Sequence, residues 1–155
     1  APLLTGVAPQ LLAPPVNVLR LSLHPEGVAP RILNLGQWRA HLLHRLQQQI
    51  DATGDAVLLA LHAELASYPA PAHDDAPDPD AVVVPMRMRS EVGELSFLST
   101  TTVFGTPVAV TLSELAIDSF FPADAKTAKV LRTTGFLRAM ATIPFLRRDA
   151  PYRIG

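Results

Sequence analysis

Thirteen consecutive residues constrain this chain more than any others. Tyr68-Pro-Ala-Pro-Ala-His-Asp-Asp-Ala-Pro-Asp-Pro-Asp80 holds four prolines and four aspartates. Proline fixes φ and lacks the backbone donor, so this density of it fits neither a helix nor a central strand. The stretch also has almost nothing apolar to bury. Residues 69–80 therefore read as a linker between a helical half at 16–68 and a strand-rich half at 82–121. A helix at 124–132 and a tail at 133–155 follow. At 155 residues the chain has the length of one domain, placed here at 1–132. The class expected is α+β, an antiparallel sheet of about three strands packed with helices.

The helical half carries clear punctuation. Asn34-Leu-Gly-Gln37 reads as a capping box, with Asn34 at the N-cap and Gln37 at N3. Leu35, Trp38, Leu42, Leu46 and then Gln49 or Ile50 recur at helical spacing. Thr53-Gly54 ends that helix, with glycine in the left-handed position. Asp55 caps the next helix, where Val57, Leu58, Leu61, Leu65 and Tyr68 form the expected buried stripe before Pro69. The two make a hairpin. Earlier in the chain, Leu19, Leu21 and Leu23 alternate with Arg20 and Ser22, which by period alone predicts a strand. Asn17 is nevertheless a good helix cap.

Beyond the linker the period changes to two. Val82, Val84, Met86 and Met88 share one side, and Arg87 and Arg89 the other. Ser90-Glu-Val-Gly93 is the expected turn. A second strand at 94–103 and a third extended run at 108–120 complete a meander, with Gly105-Thr-Pro107 turning between them. The last helix starts after Pro122 and carries Ala128, Leu131, Phe136 and Met140; Gly135 weakens it and Pro144 ends it.

Chemistry is sparse. There is no cysteine, so disulfides and thiolate sites are excluded, which fits a reducing cytoplasm. No glycine-rich phosphate loop, nucleophile elbow or His-Glu-x-x-His motif is present. His41 and His44 lie three apart on a helix without an evident third ligand, and a solvated helix face explains them better than a metal. His73, Asp74 and Asp75 cluster within the linker. Glu114 and Asp118 share a strand face without a basic partner nearby. No catalytic residue, no metal and no cofactor is expected, and an enzyme ranks last among the readings. The formal net charge is −1, but it is unevenly placed: −7 up to Ala125 and +6 from Lys126 onward. A tail that lies on the chain's own acidic surface is favoured over one that meets nucleic acid, since no aromatic residues interleave the arginines. The second strand, Leu95-Ser-Phe-Leu-Ser-Thr-Thr-Thr-Val-Phe104, mixes large apolar residues with hydroxyls. That is the make-up of a small-molecule pocket, and equally of an exposed sheet face.

Two stretches resemble a known family. Asn17-Val-Leu-Arg-Leu-Ser-Leu-His-Pro-Glu-Gly27, with Ala29-Pro-Arg-Ile32, Asn34 and Trp38-Arg-Ala-His-Leu-Leu43, forms the first. The second is Gly93-Glu-Leu-Ser-Phe-Leu-Ser-Thr-Thr-Thr-Val-Phe-Gly-Thr-Pro107 with Thr111-Leu-Ser-Glu-Leu-Ala-Ile-Asp-Ser-Phe-Phe-Pro-Ala-Asp124. From about Gly6 to about Leu131 the chain resembles the MmyB-like ligand-binding domain that follows the helix-turn-helix in bacterial Xre-type transcription regulators.

The resemblance implies a PAS-like fold and a buried apolar ligand of the fatty-acid type, and it makes 17–24 helical, against the alternation. Such regulators carry a DNA-binding helix-turn-helix and the first PAS strands before this point. Neither is in this chain, which opens on Ala1, so a fragment is expected whose sheet has an unpaired edge that invites a homodimer. The ligand is expected between hairpin and sheet, lined by Trp38, Leu42, Leu46, Met86, Met88, Phe97 and Leu115. Ser99, Thr101 or Arg39 would hold a polar head group. The partners implied are an apolar small molecule, a second copy, and DNA through the separate helix-turn-helix, with no membrane. A dimerisation module without a ligand is the alternative.

Overall fold

The computed structural model describes residues 4–14, 16–70, 83–104, 115–133 and 143–145, of which 101–104, 115–118 and 143–145 are described by their backbone alone. The elements are α1 (Val18–Leu23), α2 (Leu35–Thr53), α3 (Ala56–Ser67), β1 (Met86–Ser90), β2 (Gly93–Phe104), β3 (Leu115–Pro122), α4 (Ala125–Thr133) and β4 (Ile143–Phe145). The sheet is an antiparallel meander in the order β1-β2-β3-β4. This is the expected α+β class, compatible with a PAS-like arrangement. No described helix is long and apolar enough to cross a membrane.

The alternation at 18–23 is a helix, capped by Asn17, whose side chain accepts from the Arg20 amide at 3.0 Å. Alternation misleads here because α1 is buried nearly all round, with only Arg20 exposed. Ser22 reads as an outward polar residue but is inside, its hydroxyl accepting from the Trp38 indole N–H at 2.8 Å. After α1 the chain doubles back so tightly that a Cβ on Gly27 would lie 2.2 Å from the Leu21 carbonyl oxygen. That same carbonyl accepts from the Val28 amide at 2.9 Å, so only glycine lets the two strands of chain approach this closely. The stretch before α1 is seated on this unit. Val7 is buried, Ala8 N–H donates to the Glu26 carbonyl at 2.9 Å, and the Arg31 guanidinium holds the Thr5 carbonyl.

The hairpin forms as predicted. Gly54 ends α2 in the left-handed region at φ 65°, and Asp55 Oδ1 accepts from the Val57 amide at 2.8 Å to start α3. Leu58, Leu61 and Leu65 are buried as expected. Val57, expected in the same stripe, is 53% exposed, because it lies about 100° around the helix from Leu58. Asn34 departs further from expectation. It occupies the N-cap position of α2 but makes no side-chain cap. Its Nδ2 donates to the Pro85 carbonyl at 2.8 Å and its Oδ1 accepts from the Arg87 amide at 2.9 Å. The Leu33 amide donates to the Arg87 carbonyl at 2.7 Å and Ile32 bridges Met88. The outer edge of β1, expected open, is thus partly met by 32–34 of the same chain.

On the sheet the period of two holds. Met86, Met88, Leu95 and Phe97 are buried on the inner face, with Met86 opposite Phe97 and Met88 opposite Leu95. Arg87 and Arg89 are exposed on the other face, and Arg87 pairs with Glu94 at 2.7 Å. Within the β1–β2 turn, Ser90 Oγ accepts from Val92 N–H and donates to the Gly93 carbonyl. The third strand runs two residues past its expected end, and 105–114 lie outside the described residues. Where β3 ends, Ala123 N–H still donates to the Ser96 carbonyl (2.8 Å), and α4 takes over the edge of β2. Thr127 is fully buried, its Oγ1 accepting from the Ser96 amide at 3.0 Å, and Leu131 joins the core. The helix is described as far as Thr133, and its expected continuation through Gly135, Phe136 and Met140 lies outside the described residues. Pro144 lies in β4 opposite Ile117, on the outermost strand of the described sheet, the kind of strand where proline is tolerated.

One polar clasp ties α1 to the end of α3. Arg20 Nε and Nη2 each donate to Glu64 at 2.8 Å, and the Tyr68 hydroxyl donates to the same carboxylate. The Arg20 hydrogen bonds hold Glu64 below the usual carboxylate range. Tyr68 is pushed up to about 12, first by burial and then by its bond to Glu64. The unfolded chain releases this proton near 10.0 and the folded chain only near 12, so stability should fall as pH rises between those values. Tyr68→Phe should flatten that step in denaturant titrations across the window; an unchanged step would assign it to another group.

Candidate functional site

The site is assembled from two periodicities. Leu35, Trp38, Leu42 and Leu46 fall on one stripe of α2, and all four are buried. Met86, Met88, Leu95 and Phe97 fall on the inner face of β1 and β2. All belong to one apolar cluster, in which Trp38 and Phe97 are the largest fully buried side chains. Six of the expected lining residues, Trp38, Leu42, Leu46, Met86, Met88 and Phe97, are therefore all buried in the common core, which also takes in residues of α1, α3 and α4. The methionines are its most adaptable members, being unbranched and polarizable. The side chains of Leu115 and Thr101 lie outside the description. The backbone puts Leu115 opposite Phe104 and Thr101 opposite Asp118.

Toward the far end of α2 the lining turns polar. On β2 the inner-face positions run Leu95, Phe97, Ser99. The first two are 1% and 0% exposed, whereas Ser99 is half-buried. Phe120 faces Ser99 across the β2–β3 ladder and packs against the core. The guanidinium at Ser99 comes from Arg45, whose Nη1 lies 3.4 Å from Ser99 Oγ, a long hydrogen bond.

Arg39, expected to hold a head group beside Ser99, turns instead to α3. Its Nη2 donates to the Ala66 carbonyl in the last turn of α3, where a cation also meets the negative end of the helix dipole. Its Nε is buried without a partner among the described residues. Arg45 was missed because a charge on a helix reads as a solvated face. The signal for it was spacing: Arg45 lies seven residues after Trp38, two turns on, and so shares its face.

His41 is half-buried beside Trp38, with ring centroids 5.8 Å apart. Burial, then the charges of Arg45 and His44, lower its pKa below the ordinary imidazole value. His41 and His44 gain no third partner: among the described residues no three His, Asp or Glu side chains come together as metal ligands. His73, Asp74, Asp75 and Glu114 lie outside the described residues, and Asp118 is described by backbone alone.

Among the described residues the arrangement is a buried apolar cluster with the Arg45 guanidinium and the Ser99 hydroxyl at its margin, the mix of apolar lining and few polar groups that suits a small apolar ligand. The family model described as MmyB-like transcription regulator ligand binding domain matches residues 1–133. No curated protein and no solved structure matches the chain.

Proposed function

The chain belongs to the MmyB-like transcription regulator ligand-binding domains, and from that premise we propose that it senses a fatty-acid-like molecule held between the α2–α3 hairpin and the sheet. The observation that carries this reading is the gathering of Trp38, Leu42, Leu46, Met86, Met88 and Phe97 in a single buried cluster with a polar rim at Ser99 and Arg45. Each methylene taken from water into such an interior contributes about 0.8 kcal/mol, so a long acyl chain supplies its own affinity. Regulation follows if the ligand binds one conformation of the regulator better than another. In the full regulator this domain works in the cytoplasm as a homodimer, and DNA is contacted by a separate helix-turn-helix. The reading assigns binding, not catalysis.

A second reading, an interaction module without a ligand, is favoured by the outward face of α3. Ala56, Leu59, Ala60, Ala63 and Ala66 are exposed there without a charge among them, an apolar strip opposite the buried stripe of Leu58, Leu61 and Leu65. Native mass spectrometry of the purified chain, followed by denaturing extraction and lipid analysis, separates the two. A stoichiometric apolar adduct that extracts as a fatty acid is the expected result. A dimer that carries no adduct and takes up no added fatty acid overturns the sensor reading in favour of the module.

A further inference from the structure

We propose that Arg45 is the residue by which this site selects a carboxylate-headed amphiphile over a neutral one of the same chain length. The inference rests on the reading of the cluster as an apolar ligand site and adds the head-group chemistry. An acid, an alcohol and a methyl ester of equal length bury the same methylenes, so any preference among them has to arise at the rim. The rim is where Arg45 arrives. It shares the face of Trp38 and Leu42 by its spacing on α2, is half-buried, and its guanidinium reaches Ser99 on β2.

Ser99 is the first half-buried polar position on the inner face after Leu95 and Phe97, and Phe120 stands across from it. A carboxylate placed there receives a charge-assisted hydrogen bond from Arg45 and a second bond from the Ser99 hydroxyl, both stronger than the 3.4 Å contact between the two residues. The fixed charge on α2 is mostly of the same sign: Arg39 and Arg45 are its cations, and its only acid, Asp51, accepts from Gln47 Nε2 at 2.7 Å.

The test uses the full chain stripped of lipid and a saturated fatty acid, its alcohol and its methyl ester, with binding read by calorimetry. The unmodified chain should bind the acid about tenfold or more tightly than the alcohol or ester, the scale of a charge-assisted bond over a neutral one. Arg45→Met, similar in length and uncharged, should bring the acid down to the level of the alcohol and leave the alcohol unchanged. Arg45→Lys should restore part of the difference, which shows that the variants fold and that charge is what matters. Arg39→Met serves as the control, since that guanidinium is engaged on α3, and it should keep the preference.

If acid and alcohol bind the unmodified chain equally, or Arg45→Met keeps the preference, the apolar site stands and the role of Arg45 is overturned. Loss of the preference in Arg39→Met alone also overturns it. If none of the three compounds binds, the ligand-site reading itself fails and takes this inference with it.

Discussion

Trp38→Ala should destabilise the chain by about 3–5 kcal/mol, the range for truncating a fully buried aromatic residue. Trp38 is 1% exposed, lies in the common core and ties α2 to α1 through its indole N–H on Ser22. The more informative variant is Trp38→Phe. It keeps much of the apolar contact but removes the indole N–H, leaving Ser22 Oγ buried without its donor at a cost of about 1–3 kcal/mol. Placing Trp38→Phe in a Ser22→Ala background should recover most of that cost, because neither polar group then remains unpaired. Urea midpoints followed by circular dichroism read the cycle; fluorescence does not serve, since Trp38 is the only tryptophan. Strict additivity of the two substitutions would mean that the Ser22 bond contributes nothing.

The second large effect is expected at Asn34. Its side chain is buried and holds two backbone groups of the β1 edge, 51 and 53 residues away. Asn34→Ala should cost about 2–4 kcal/mol, since the Pro85 carbonyl and the Arg87 amide lose their partner together. The choice of replacement discriminates between the two roles available to this residue. Serine and threonine are good helix caps, so Asn34→Ser would restore stability if Asn34 served α2. As a clamp on β1 it cannot be replaced by a side chain that does not span both groups, and Asn34→Ser should remain nearly as unstable as Asn34→Ala. Equilibrium unfolding of the two variants settles the matter, and rescue by serine would return Asn34 to its capping role.

Asn34 shows where reading the sequence stops. Asn34-Leu-Gly-Gln37 is a genuine cap pattern, and the helix does begin there, yet the amide is used on another element. The reason is competition: Asn offers a donor and an acceptor at once, and the Pro85 carbonyl and Arg87 amide at the start of β1 use both. The same holds for α1, where alternation is meaningful only if one side faces water. With Ser22 drawn inward by Trp38, both sides are buried and the six-residue pattern loses its content. The hairpin was legible because caps, stripe and glycine are all local, and each is decided within a turn or two.

For the candidate site the division follows the same line. The apolar residues could be picked from period alone, since burial of a stripe or a sheet face is a property of the element that carries it. The polar rim could not. Arg39 and Arg45 are both arginines on α2, and nothing in their neighbours along the chain says which one turns to α3 and which reaches β2.

The sequence by itself determined the class of the fold, the two helices of the hairpin and the inward faces that make the core, because hydrophobic patterning and capping act over a few residues. Only the tertiary structure decided which buried polar groups meet. Trp38 with Ser22, Asn34 with β1 and Arg45 with Ser99 are joined across 16, 51 and 53, and 54 residues. A hydrogen bond depends on where two groups arrive in space, and that is set only when the elements have packed.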